Sequence, residues 1–97
     1  MACTVILDLQ VQADKVDTLK GVFKEILGDT RAYDGCISVD VVHNQDENDN
    51  LMLVELWESR AKYEKYLGWR EETGALEQLG SMLAAPPSIK YYDPVDA

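Results

Sequence analysis

Residues 51–69, LMLVELWESRAKYEKYLGW, decide the fold of this chain of 97 residues. Large apolar side chains occupy both alternating positions of the first eight residues, which is typical of a strand inside a sheet. Ser59 follows, and its hydroxyl can cap the start of a helix. Tyr63 and Tyr66 then recur at helical spacing. A strand that leads directly into an aromatic helix would bring Trp57 close to both tyrosines, so we expect any chemical site at this junction.

Further strands and helices flank this stretch. Alternation with a period of two predicts strands over residues 2–12, 36–43 and 88–93, and apolar stripes at spacings of three and four predict helices from residue 16 to 28, or one turn further, and over 76–83. We expect Asp14 to cap the first helix and Pro86-Pro87 to end the last one. Residues 44–50 contain no apolar side chain, which indicates a solvated hairpin loop.

The order strand, helix, strand, strand, helices, strand predicts one α+β domain over residues 1–97. This is the split βαβ, or ferredoxin-like, arrangement, whose four-stranded antiparallel sheet has the strand order 4-1-3-2. Helices in this arrangement cover one face of the sheet only. The uncovered face would carry one of two apolar sets, either Met52, Val54 and Leu56 or Leu51, Leu53 and Trp57. We therefore expect a homodimer packed sheet to sheet, as in a dimeric α/β barrel.

The composition excludes several classes of partner. The formal net charge is −9, from 18 acidic and 9 basic residues, which argues against binding to nucleic acid or to anionic membranes. No apolar run is long enough for a membrane helix, and no signal peptide is visible. Cys3 and Cys36 lack CxxC spacing and are expected to be small core residues in a reducing compartment, the cytoplasm.

A metal site is not expected either. One histidine and two distant cysteines do not make the three or four convergent ligands that a metal requires. The acidic loop with Asp46, Glu47 and Asp49 lacks the glycine and the final glutamate of an EF-hand, so we interpret it as a solvated loop.

The chain resembles the antibiotic biosynthesis monooxygenase family of dimeric α/β-barrel proteins. Three segments carry the resemblance: LVELWESRAKYEKYL at residues 53–67, YDGCISVDV at 33–41, and MLAAPP at 82–87 before KYYDPV. It extends over nearly the whole chain and is similar to small quinol or polyketide monooxygenases and, more distantly, to haem-degrading oxygenases. The resemblance implies a homodimeric oxygenase that acts on a small aromatic substrate.

Residue by residue, the resemblance places Trp57 at the family tryptophan that ends the third strand. Tyr63 matches an aromatic position on the following helix that lines the same substrate pocket. Tyr66 stands where many relatives have histidine, and Leu53 stands where the family has asparagine. The place of the axial histidine of the haem-degrading branch is near Leu76, which cannot ligate iron, so the resemblance implies chemistry without a haem or other cofactor.

Two further titratable residues are candidates. His43 ends the second predicted strand, and it is either a surface or dimer-contact residue or a general base, a role to which the imidazole is well suited. Glu55 is an acid in an otherwise apolar internal strand. If it is buried, it is either paired with Arg60 or Lys62, which we expect, or a latent base with a raised pKa.

Three functions remain open. The first is a cofactor-independent monooxygenase of a hydroquinone or polyphenol, in which Trp57, Tyr63 and Tyr66 supply desolvation and stabilise an oxyanion. The second is a module that binds a small aromatic ligand without turnover, because a fold does not fix a function. The third is an isomerase or lyase that shares the enolate step but needs no oxygen. The same side chains could also serve only as core residues.

Overall fold

The computed structural model describes residues 2–97, which form four strands and three helices. In chain order these are β1 (Cys3–Gln10), α1 (Val16–Ala32), β2 (Cys36–His43), β3 (Asn50–Trp57), α2 (Arg60–Glu72), α3 (Ala75–Ser81) and β4 (Ser88–Tyr92). All neighbouring strands pair antiparallel, in the order β2-β3-β1-β4. This is the predicted order 4-1-3-2 counted from the other edge, so the ferredoxin-like α+β prediction is confirmed.

The internal strand β3 separates two environments because its side chains alternate across the sheet. One set is buried beneath the helices: Leu51, Leu53, Glu55 and Trp57. The other set is half-buried on the uncovered face: Met52, Val54 and Leu56. Of the two sets that the sequence left open for the uncovered face, the structure selects Met52, Val54 and Leu56.

The start of α1 differs from the prediction. Asp14 does not cap this helix, because the N-cap position falls on Lys15 and no side chain forms a capping hydrogen bond there. The far end of the helix continues past Gly28 to Ala32, which agrees with the longer of the two predicted lengths.

The end of α3 also differs. The helix stops at Ser81 instead of continuing to the prolines, and the next two residues are drawn into the interior. Gln12 donates its backbone N–H to the carbonyl of Met82 at 3.0 Å, and Leu83 forms a β-bridge with Val11. These pairings with the chain beyond β1 satisfy backbone groups that a longer helix would have used.

The interior consists of two clusters. The aliphatic cluster comprises Leu7, Leu9, Val11, Val16, Leu19, Phe23, Leu27, Val39, Leu51, Leu53, Met82 and Leu83. The aromatic cluster comprises Cys3, Val5, Trp57, Tyr63 and Tyr66. Cys3 is therefore a core residue as predicted, whereas Cys36 is only half-buried. No helix within residues 2–97 is long and apolar enough to span a membrane.

Candidate active site

The aromatic side chains at the junction of β3 and α2 come together as the sequence predicts. Ser59 accepts a hydrogen bond from the backbone N–H of Lys62 at 3.2 Å, so α2 begins directly after the strand that carries Trp57. The ring centroids of Trp57 lie 5.5 Å from Tyr63 and 5.0 Å from Tyr66, and the two tyrosine rings are 6.0 Å apart. These contacts form a continuous aromatic wall beneath the helices.

A small cavity lies beside this wall, between the sheet and the three helices. Its volume is about 50 Å³. Most of its lining is aliphatic, and the ionisable side chains on it are Glu55, Tyr63, Tyr66 and Arg70. One water needs roughly 10–15 Å³, so this space holds a few waters but no aromatic ring, whereas ligand pockets usually measure about 300–1,000 Å³.

Glu55 is the buried acid of the cavity. Its side chain is 3% exposed. One carboxylate oxygen accepts a hydrogen bond from the indole Nε1–H of Trp57 at 2.9 Å, which is possible because residues two apart on a strand share a face. Burial raises the pKa of Glu55 above its ordinary value of 4.5, and the hydrogen bond from Trp57 opposes this shift.

The expected ion pair of Glu55 with Arg60 or Lys62 is wrong. The ion pairs among residues 2–97 are Arg60–Glu64 at 3.7 Å, Lys62–Asp34 at 3.4 Å and Lys62–Glu58 at 3.2 Å, all of them exposed. Glu55 points beneath the helices, whereas the long basic side chains at the start of α2 remain in water, where their charge is hydrated. The other alternative for Glu55, a latent base, stays a prediction.

A buried hydrogen-bond network closes one side of the cavity. Arg70 donates from Nε to the Tyr66 hydroxyl at 2.9 Å, and from Nη2 to Thr30 Oγ1 at 2.9 Å and to the carbonyl of Ile26 at 2.8 Å. The hydroxyls of Thr30 and Tyr66 share a further hydrogen bond at 2.7 Å. No acid neutralises Arg70 within residues 2–97, so the network places a positive charge beside the cavity.

Both Thr30 and Arg70 were missed by the sequence analysis. Arg70 lies four residues after Tyr66 and seven after Tyr63, which places all three on the buried face of α2. Thr30 lies three residues after Leu27 and continues the apolar stripe of α1. A polar residue on a buried helical face was the available signal in each case.

Tyr63 differs from Tyr66 because its hydroxyl is free. None of the side-chain hydrogen bonds within residues 2–97 involves the Tyr63 hydroxyl, this oxygen is not fully enclosed, and the Tyr63 side chain lines the cavity. Burial, reinforced by the nearby Glu55 carboxylate, strongly raises the pKa of Tyr63. Tyr63 therefore stays protonated at neutral pH and can donate a hydrogen bond to a ligand.

His43 does not reach the aromatic wall. It pairs with Leu51 at one end of β3, whereas Trp57 ends the same strand six residues later, about 20 Å away at the usual rise per residue. Its Nε2 atom forms a hydrogen bond with the carbonyl oxygen of Asn48 at 2.8 Å. The side chain lines a separate groove between α1 and β2. Within the described chain, no three His, Cys, Asp or Glu side chains converge on a common metal position.

Comparison with known proteins agrees with this architecture. The family model described as antibiotic biosynthesis monooxygenase matches residues 2–71. The curated protein Rv0793 from Mycobacterium tuberculosis is 27% identical over 92 residues, which cover 95% of this chain and 90% of Rv0793. Its solved structure superposes with a TM-score of 0.87 at 26% identity, covering 100% of this chain and 98% of the other.

A more distant structure shares the fold alone. A conserved protein from Methanosarcina mazei Go1 superposes with a TM-score of 0.86 at 21% identity, covering 95% of this chain and 91% of that one.

Proposed function

Because this chain belongs to the antibiotic biosynthesis monooxygenase family, we propose that it is a small monooxygenase that oxidises a hydroquinone or polyphenolic ring without a bound metal or flavin. One observation carries this proposal. The cavity combines an aromatic wall with a buried acid, a free tyrosine hydroxyl and a buried arginine, namely Glu55, Tyr63 and Arg70. These groups suit the deprotonation of a phenol and the stabilisation of the anion that results.

The reaction requires the aromatic ring to give electrons to dioxygen. When a phenolic hydroxyl loses its proton, the electron pair of the O–H bond delocalises onto a ring carbon, which can reduce dioxygen. One oxygen atom enters the ring and the other leaves as water, so a phenol and one dioxygen give a quinone and one water. Apolar walls exclude bulk water, and Tyr63, Tyr66 and Arg70 offset the negative charge as it develops.

Entry of a ring requires the cavity to widen, and α3 is the element best suited to move. It has seven residues and none of them is fully buried. Gly74, which precedes it, has a φ of 81°, a left-handed conformation that glycine adopts without strain. Outward displacement of Leu76 and Leu79 on this short helix would extend the cavity toward the size of a substrate.

The proposed enzyme is a homodimer, with a second copy covering the open face of the sheet. The centre of that face is apolar and half-buried, with Ile6 on β1 beside Val54 on β3. In the same row Lys90 on β4 and Asp40 on β2 occupy opposite edges. A two-fold axis along the strands would place the Lys90 edge of one copy over the Asp40 edge of its partner, so the face is complementary to itself.

Val54→Asp tests this assembly. A carboxylate at the centre of the face would be buried unpaired in the dimer, so the variant should run as a monomer in sedimentation equilibrium, whereas wild type should show twice the monomer mass. Thr18→Asp, on the exposed side of α1, is the control and should stay dimeric. A monomeric wild type would contradict the proposed dimer.

The two free thiols, Cys3 and Cys36, support a location in the cytoplasm.

Isotopically labelled dioxygen tests the reaction. Chelator-treated, flavin-free protein is incubated with hydroquinone or naphthohydroquinone, and the products are analysed by mass spectrometry against a blank without protein. We expect one labelled atom in the organic product and one in water. Product formation under strict anaerobiosis would instead identify an isomerase or lyase. Thermal stabilisation by the phenol with no product would identify a binding module.

A further inference from the structure

Glu55 occupies an unusual position for an acid. It lies at the centre of the sheet, paired with Val5 on β1 and with Val39 on β2, and its side chain lies beneath the helices. Buried carboxylates normally have a cation or several hydrogen-bond donors as partners. Within residues 2–97 the single side-chain donor to Glu55 is the indole of Trp57, and it binds only Oε1.

The second carboxylate oxygen of Glu55 is not held by Trp57. Every fully enclosed side-chain oxygen or nitrogen within residues 2–97 has a hydrogen-bond partner. Oε2 of Glu55 takes part in no side-chain hydrogen bond of these residues, so it is not fully enclosed, and the Glu55 side chain lines the cavity. One carboxylate oxygen is thus tethered to Trp57, and the other has no side-chain hydrogen-bond partner within residues 2–97.

The other ionisable groups around Glu55 cannot accept a proton at neutral pH. Burial raises the pKa values of Tyr63 and Tyr66 on α2, so both remain neutral phenols. Cys36 on β2 stays a thiol because burial, together with the Glu55 charge, raises its pKa. Arg70 is permanently charged. The contributions of α1 and α3 to the cavity are aliphatic or aromatic side chains and the neutral Gln78.

We propose that Glu55 is the catalytic base of the reaction, accepting the hydroxyl proton of the phenolic substrate on Oε2, and that Trp57 is a positioning residue that fixes the carboxylate through Oε1. This inference rests on the proposed oxidation of a phenol in this cavity. Glu55 does not pair with a cation, so Trp57 holds the carboxylate in place and no paired positive charge weakens it as a base.

The proton movements balance over the whole reaction. Glu55 takes the O–H proton, and a bond forms between the ring carbon and dioxygen, which oxidises the carbon and reduces the oxygen to a peroxy anion. Glu55 returns its proton to that anion. It then takes the proton on the oxygenated carbon, the O–O bond breaks, and the departing hydroxide collects the proton from Glu55 to become water.

The test separates proton transfer from oxygenation. Wild type, Glu55→Gln, Glu55→Asp and the surface control Glu58→Gln are compared in two assays with hydroquinone, each corrected for the blank without protein. The first assay measures anaerobic exchange of ring hydrogens with deuterium from heavy water, which reports reversible deprotonation and return of a proton to carbon. The second measures oxygen uptake as a function of pH. Circular dichroism verifies that every variant is folded.

We expect Glu55→Gln to lose about 10²- to 10⁴-fold in both rates, the usual contribution of general base catalysis, with little change in KM. Glu55→Asp should retain part of the activity, and Glu58→Gln should match wild type. Trp57→Phe should shift the acid limb of the pH profile to higher pH, because the hydrogen bond that lowers the pKa of Glu55 is lost. A merely structural tryptophan would leave that limb in place.

The outcomes distinguish the two proposals. A Glu55→Gln protein with wild-type exchange and an unchanged pH profile overturns the role of Glu55 and leaves the oxygenase standing. Exchange in wild type that is lost in Glu55→Gln, without any oxygen uptake, supports Glu55 and overturns the oxygenase. Wild type that neither exchanges nor consumes oxygen overturns both.

Discussion

The two ends of β3 serve different purposes although they belong to one strand. At the start, Leu51 and Leu53 pack into the aliphatic cluster, whose buried members are all apolar side chains. At the end, Glu55 and Trp57 face α2, where a carboxylate, two phenols and a guanidinium are buried together. The first half of the interior stabilises the protein by excluding water. The second half buries polar groups, which natural proteins do mainly where function requires it.

The largest effect on stability should come from the aliphatic end. Leu9 on β1 is fully buried and lies outside the lining of the cavity, and Leu9→Ala should lower the free energy of unfolding by about 2–5 kcal/mol. The rate of oxygen uptake per folded molecule should stay at the wild-type value, because no reacting group moves. Denaturant titration measures the first quantity, and Val95→Ala, on the exposed C-terminal tail, is the control with no expected change. A loss of specific activity in the folded variant would show that the aliphatic end also contributes to the reaction.

Arg70→Met should affect both stability and activity. It removes the donors to Tyr66, Thr30 and the carbonyl of Ile26, and we expect a loss of about 2–3 kcal/mol in unfolding free energy. It also removes the positive charge beside the cavity, so kcat should fall about 10²-fold. Arg60→Met, which removes an exposed ion pair with Glu64 and a cation–π contact with Tyr91, should cost about 1 kcal/mol and no activity. Equal effects from the two arginines would contradict the special role of the buried one.

Tyr63→Phe should separate activity from stability most cleanly. Its hydroxyl has no partner within residues 2–97, so the free energy of unfolding should change by less than about 1 kcal/mol. Loss of one donor to the developing oxyanion should lower kcat by about 10²-fold. Tyr92→Phe, at a half-exposed tyrosine of β4, is the matched control and should change neither quantity. An active Tyr63→Phe enzyme would show that this hydroxyl is only a core group.

The smallest effect is the pH dependence of stability contributed by Glu55. Its pKa is raised in the folded state, so its contribution is fully present below about pH 4.5 and is lost as the pH rises through the folded pKa. Relative to Glu55→Gln, wild type should therefore lose unfolding free energy as the pH rises from about 4.5 through the folded pKa, by about 1.4 kcal/mol for each pH unit between the unfolded and folded pKa values. Thermal denaturation of both proteins over this range measures the difference. A difference that stays constant with pH would show that Glu55 is solvated.

Much of the fold could be predicted because the sequence pattern and the tertiary structure agree. The alternation in β3 gave the internal strand and its two faces, and Ser59 gave the start of α2. The cap of α1 at Asp14 was wrong because the N–H of Lys15 binds the carbonyl of Gln12 in a turn, so that the cap falls one residue later than predicted. The length of α3 was wrong because backbone pairings beyond β1 capture Met82 and Leu83. Such long-range pairings leave no local signal in the sequence.

The candidate site was predicted less completely. Trp57, Tyr63 and Tyr66 were found because aromatic residues at strand and helix spacing must meet at the junction. Glu55 was assigned the wrong partner, because sequence distance favoured the basic residues that follow it, whereas the side-chain direction on the strand favours Trp57. The Thr30–Arg70 pairing joins two residues that are 40 apart in sequence and lie on different helices, and only the packed structure brings them together.

Oxygen consumption by metal-free, flavin-free protein with hydroquinone tests the central claim most directly. Wild type is compared with the double variant Trp57→Phe, Tyr63→Phe, and each rate is corrected for autoxidation of the substrate. We predict uptake by wild type well above the blank and at least about 10²-fold slower uptake by the folded double variant. Equal rates for the two proteins, or a wild-type rate no faster than the blank, would contradict the assignment of the cavity beside the aromatic wall as the site of oxidation.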